Sequence, residues 1–228
     1  MKIEYWSDYA CPYCYIGETR LEHALEEMGL ADEVELSMRA FELDPNADSK
    51  VVSDTATRFA RKYGLSVPQA EERIEGISEL GRAEGLDFRY ADTQYSNTFD
   101  AHRLTKFAHS KGNTAVEPLL FQAYFTEGRV LADHDVLVEI ATEAGLDADE
   151  VRAMLDSDAF AEEVRADESD AYRMGVTGVP FFVINGKLAL PGCFEVDGFK
   201  QAITQAINDE FTTTAQGVAC GPEGCAVN

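Results

Sequence analysis

Between Asp48 and Ser157 the sequence carries no apolar-polar alternation of the kind that marks a strand, only apolar positions at helical spacing. Thr55–Leu65, Val67–Leu86, Asn97–Gly112, Ala115–Gly128, Asp133–Leu146 and Asp147–Asp158 each show an apolar stripe, and most end at a glycine or an acidic turn. The flanks read differently. Ile3–Trp6 alternates and predicts a strand; a helix follows, with Pro12 in the first turn and Gly29 as its stop; Val34–Leu43 alternates again. Two strands separated by a helix are expected to run parallel. After the helical block come another helix, the strands Pro180–Ile184 and Lys187–Leu190 around Asn185-Gly186, and a last helix. Asn-Gly between two apolar runs is a strong hairpin signal. The expected class is α/β with an inserted all-helical domain. The expected boundaries are 1–47 and 158–211 for the two halves of the α/β domain, 48–157 for the insertion, and 212–228 for a small, polar, cysteine-bearing tail.

Composition narrows the function. A chain of 228 residues with 45% hydrophobic side chains can bury a substantial core without disulfides. Its 42 acidic against 19 basic side chains give a net charge of −23, which repels nucleic acid and anionic membranes as partners. No apolar run reaches membrane-spanning length, and the first residues lack the basic and apolar segments of a secretory signal, so a cytoplasmic location is expected.

Chemistry enters at Cys11-Pro12-Tyr13-Cys14, where the first strand gives way to the first helix. Unpaired backbone N–H groups and the helix dipole favour an anion there, and the thiolate is the nucleophilic form of cysteine. Cys14 lies one turn on, on the same face and within reach of a disulfide, so Cys11 is expected to attack and Cys14 to resolve. Pro12 and Tyr13 suggest an exposed helix start that could touch substrate. The same spacing also fits half of a zinc site, completed by Cys220 and Cys225, or two small residues filling a core.

Near the other end, Gly175–Phe182 places Val179-Pro180 just ahead of the hairpin. With this segment the sequence resembles the thioredoxin superfamily, in which a prolyl peptide before the third strand is cis and faces the C-x-x-C pair. The resemblance implies a thioredoxin fold around the helical insertion, and a backbone at Val179 that pairs with an extended substrate peptide. Ser7–Gly17, Tyr95–Ala108 and Gly175–Gly192 resemble more closely the DsbA family, its FrnE-type branch and the 2-hydroxychromene-2-carboxylate isomerases. Those isomerases and the kappa-class glutathione transferases usually carry serine at the first cysteine position; Cys11 and Cys14 are both present here, which favours dithiol chemistry. The resemblance implies a thiol-disulfide oxidoreductase acting on a disulfide-bearing protein or peptide, with a redox-active disulfide and no other cofactor. Because C-P-Y-C is also the glutaredoxin signature, glutathione or another small thiol stands as a co-substrate. A glutathione-dependent isomerase or transferase is the alternative, and a zinc-stapled binding protein the third.

Further positions carry weaker expectations. Cys193 reads either as a third thiol near Cys11 or as a small core residue. Cys220 and Cys225 enclose Gly-Pro-Glu-Gly, a turn that allows a low-strain disulfide able to exchange with Cys11 and Cys14. Ser96 or Asn97 is expected to cap the helix carrying His102, and in the resembling isomerases this segment faces substrate, so Asn97 and His102 are candidate binding residues. Trp6 and Tyr9 are expected to pack around the redox helix, and Glu4 could accept a proton from Cys14 if it points inward. The sparse Lys and scattered acids also suggest a salt-rich cell interior. At about 1 M salt the Debye length falls to roughly 3 Å and like-charge repulsion is screened. The melting temperature should therefore climb from about 0.1 M to about 1 M salt in thermal unfolding scans, and a flat response would remove this reading.

Overall fold

The computed structural model describes residues 1–208 and the backbone of 220, 221, 224 and 225. The chain divides into two compact units, Met1–Leu43 with Glu168–Asn228, and Asp44–Asp167.

In the first unit β1 (Lys2–Ser7), α1 (Pro12–Glu27) and β2 (Glu35–Ala40) form the parallel βαβ start. α8 (Ala161–Arg173), within which the boundary at Asp167–Glu168 falls, leads into β3 (Phe181–Ile184) and β4 (Leu188–Pro191), and α9 (Val196–Ile207) closes the unit. The sheet order is β2-β1-β3-β4, with β3 antiparallel to both neighbours. Asn185 and Gly186 turn the hairpin at φ 51° and 66°, the left-handed pair that a two-residue turn of this hand requires. Register fixes the faces. Tyr5 lies opposite Phe182, and Phe182 meets Phe199 of α9 edge-on at 4.9 Å. Ile3, Tyr5 and Ser7 therefore look toward α1 and α9, while Glu4 and Trp6 look the other way.

The second unit is built from α2 (Thr55–Tyr63), α3 (Val67–Ala83), α4 (Phe99–Ser110), α5 (Val116–Phe125), α6 (His134–Glu143) and α7 (Ala148–Leu155). Its helix ends follow local chemistry: Asp54 and Asp147 accept backbone N–H groups of the first turns of α2 and α7, and Ser66 with Gln69 forms a capping box on α3. α4 departs from expectation. Its N-cap is Thr98, and Asn97 Oδ1 instead accepts the Phe99 N–H at 2.9 Å as a turn ahead of the helix. Ser96 Oγ is taken up by Ala132 N–H at 3.3 Å.

The unit boundaries fall at Leu43–Asp44 and Asp167–Glu168 rather than after residues 47 and 157. Arg103 holds the residues around 157 within the second unit. Its guanidinium pairs with Asp100 at 2.7 Å and donates to the carbonyls of Met154, Ser157 and Ala159, tying that stretch to α4. Helical periodicity reports none of this. Of the expected tail, Cys220–Gly221 (β5) and Gly224–Cys225 (β6) form a short antiparallel bridge with Cys220 opposite Cys225. The rest of residues 212–228 and the side chains of both cysteines lie outside the described residues. Among the described residues no helix is long and apolar enough to cross a membrane.

Gly81 in α3 has no room for a side chain, since a Cβ there would stand 2.4 Å from Cγ of Phe88, which is buried and stacked on Phe125 at 4.6 Å. Gly81→Ala gains helix propensity but overpacks this site, and it should lower stability by about 1–3 kcal/mol, read as a drop in urea midpoint at unchanged slope.

Candidate active site

The turn between β1 and α1 is held by Asp8. Its Oδ1 accepts Ala10 N–H at 3.2 Å, its Oδ2 accepts Leu43 N–H at 2.7 Å, and its carbonyl accepts Cys11 N–H at 2.9 Å. Cys11 thereby becomes the N-cap of α1, in extended conformation, with Pro12 starting the helix. Cys14 N–H donates to Cys11 O at 3.1 Å, which sets the two cysteines one tight turn apart.

The Val179–Pro180 peptide is cis. Cys11 Sγ donates to Val179 O at 3.7 Å, and Pro180 O accepts Gly192 N–H at 2.8 Å, which ties the segment after β4 to the same place. Gly17, one turn beyond Cys14, completes the packing: a Cβ there would lie 3.3 Å from Pro180 Cγ and 3.5 Å from both Cys193 Sγ and Phe182 Cζ. Cys11, Cys14, Val179, Pro180 and Cys193 are thus brought together, with Asp8, Gly17, Glu18 and Arg20 as partners that the motif does not name.

Cys11 and Cys14 are both 0% exposed, and Pro12 and Tyr13 are buried with them. This corrects the expected exposed helix start: the apolar residues around the cysteines are core residues, and the turn pinned by Asp8 folds them inward. Burial, the hydrogen bond with Cys11, and the charges of Cys11 and Glu18 hold the Cys14 thiol well above its ordinary range, against a backbone hydrogen bond from Asp8. Cys193 is buried too. Burial pushes its thiol up to about 12, opposed by the Arg20 guanidinium 3.7 Å from its sulfur. Arg20 itself pairs with Glu195 at 2.8 Å.

Glu4 is on the far face of the sheet from α1. Burial acts to raise its carboxyl, but the hydrogen bond and charge of Arg39, with Lys2 at 3.3 Å, outweigh that and lower it. With Trp6, Arg39, Asp170, Arg173 and Met174 it lines a cavity of about 270 Å³. Strand phase, undetermined from sequence, decides against Glu4 as a neighbour of Cys14 and sets Trp6 on the cavity side. Tyr9 is fully buried, its hydroxyl on Met38 Sδ at 3.4 Å. Asn97 and His102 belong to the helical unit. There Asn97 uses its side-chain oxygen on Phe99, and His102 is 1% exposed. No group of three or more metal-ligating side chains is assembled among the described residues.

A thioredoxin sheet, a C-x-x-C pair opening α1 and a prolyl peptide against the first sulfur define the class of protein. The chain belongs to the DSBA-like thioredoxin domain family, whose model matches residues 2–204. It is 42% identical to the probable DsbA oxidoreductase SCO1869 from Streptomyces coelicolor, covering 100% of this chain and 99% of that one with a TM-score of 0.88. It is 29% identical over 205 residues to the uncharacterized protein YwbO of Bacillus subtilis (strain 168), covering 89% of this chain and 95% of that protein. A 2-hydroxychromene-2-carboxylate isomerase shares the fold, with a TM-score of 0.69 at 15% identity over 92% of this chain and 97% of that one.

The raised Cys193 thiol has a consequence for stability. The native state keeps this proton above the pH at which an unfolded cysteine, with an ordinary value near 9.0, has lost it. Its contribution is complete below that point and is lost as pH rises toward about 12. Cys193→Ala should flatten the fall of unfolding free energy across that alkaline window in denaturant titrations, and an unchanged pH slope would contradict the assignment.

Proposed function

We propose that the protein is a thiol-disulfide oxidoreductase in which Cys11 attacks a substrate disulfide and Cys14 resolves the mixed disulfide. The observation that carries this reading is Cys11 Sγ at the N-cap of α1, hydrogen-bonded to Cys14 and facing the carbonyl of the cis Val179–Pro180 peptide. A resolving thiol one turn away converts the bound intermediate into an intramolecular disulfide and releases the product thiol. An extended peptide laid along Val179 would bring its disulfide to Cys11, the added strand supplying affinity through main-chain hydrogen bonds.

The environments of the two sulfurs support unequal roles. Cys14 has a strongly raised thiol, which suits a group that stays protonated until the mixed disulfide forms. Full burial of Cys11 means that exchange requires the groups over its sulfur to move, and small disulfides should react before bulky ones. We assign disulfide-bearing proteins or peptides as the substrate class, with glutathione or another small thiol as the co-substrate that resets the pair.

Insulin reduction and refolding of scrambled disulfide proteins test the reading. Cys11→Ser and Cys14→Ser should each fall to the uncatalysed rate, and Cys14→Ser should accumulate substrate bound to Cys11, seen as a mass increment lost on reduction. A Cys14→Ser protein that instead turned over a small electrophile with glutathione at the unsubstituted rate would assign isomerase or transferase chemistry and overturn dithiol exchange.

A further inference from the structure

Resolution by Cys14 needs its proton removed, and Cys14 is 0% exposed, so bulk water does not reach it directly. One turn further along α1, on the same face, stands Glu18. Ser7, fully buried at the end of β1, donates its hydroxyl to Glu18 Oε1 at 2.5 Å, which holds the carboxylate on the side of the helix that faces the sheet. Glu18 is itself half-buried and so keeps contact with solvent. Its charge is felt at Cys14.

Other charged groups nearby do not fit the task. Both carboxylate oxygens of Asp8 accept backbone N–H groups, and its own N–H favours the Cys14 anion without being able to take a proton. Glu4 is held by Arg39 and Lys2 on the other face of the sheet. Glu22 lies a further turn along α1 and acts with Glu18 to raise the Tyr15 phenol, after burial as the largest cause. The groups shown to meet Glu18 or feel its charge include Cys14 and Tyr15 of α1 and Ser7 of β1.

We propose that Glu18, positioned by Ser7, is the proton acceptor for Cys14 in the resolution step. The inference rests on the exchange reading above. In that step the bond between Cys11 Sγ and the substrate sulfur breaks as the Cys11–Cys14 disulfide forms. The Cys14 proton passes to the Glu18 carboxylate and from there to the departing substrate thiolate or to solvent. The cysteine pair loses two electrons and the substrate disulfide gains them, so no further reactant is needed. In the reverse direction Glu18 returns the proton to Cys14 as the disulfide opens.

Stopped-flow reaction with a dipyridyl disulfide separates the steps, because attack by Cys11 and resolution by Cys14 each release one chromophoric thiopyridone. The full chain would carry alanine at Cys193, Cys220 and Cys225 in every arm. Glu18→Gln should leave two phases but slow the second about 100-fold or more near neutral pH, and make it rise steeply with hydroxide. Glu18→Asp should restore part of the rate, and Ser7→Ala should lie between. A second phase unchanged in Glu18→Gln would overturn the proposal. Equal slowing of both phases, with no recovery in Glu18→Asp, would make Glu18 a structural residue and overturn it as well. Absence of a second release before Glu18 is changed would sink the exchange reading itself, a distinct failure.

Discussion

The buried carboxylate of Asp8 is the constraint on which the rest of the site depends. At 2% exposure it is among the most costly groups in the first unit to place out of water, and two backbone N–H bonds, from Ala10 and Leu43, offset that cost. Those bonds join the turn after β1 to the segment after β2, while the Asp8 carbonyl fixes the N–H of Cys11. The start of α1 is thus anchored to both parallel strands at their ends, and the first sulfur inherits its position from that anchorage.

Much of the fold could be read in the residues. Asn185-Gly186 fixed the hairpin, Pro12 and Gly29 bracketed α1, and the absence of alternation between Asp48 and Ser157 reported the helical unit, because each of these is a local preference. Cys11 and Cys14 were legible from their spacing at a strand-to-helix junction, whereas the place of Pro180 opposite them followed from the resemblance to the thioredoxin superfamily. What stayed hidden depends on faces and long contacts. The phase of β1 could not be settled from Lys2–Ser7 alone, so Glu4 was as eligible as any acid to serve Cys14. Glu18 was four positions past Cys14 in plain view, yet its bond to Ser7 exists only once β1 and α1 are packed. Burial of Tyr13 and the hold of Arg103 on the carbonyls of residues 154–159 likewise arise from tertiary structure, which no window of sequence contains.

Among the described side chains, three thiols share the first unit and differ through their surroundings rather than their type. Cys11 has a helix start and a carbonyl, Cys14 has a sealed site beside a carboxylate, and Cys193 has burial set against a guanidinium. Arg20 is in turn partly neutralised by Glu195, so its pull on the Cys193 sulfur is moderated. Cys14 and Cys193 are thus both raised by burial, one with a carboxylate's charge adding to it and the other with a guanidinium opposing it.

Gly17 carries the last lesson. A bare Cα opposite Pro180, Phe182 and Cys193 acts as a depth gauge: it sets how far the first helix sinks toward the prolyl loop, and so the gap between sulfur and carbonyl. Tuning of reactivity in this scaffold can therefore originate at a position with no chemistry of its own, by adding or withholding a single methyl's worth of thickness.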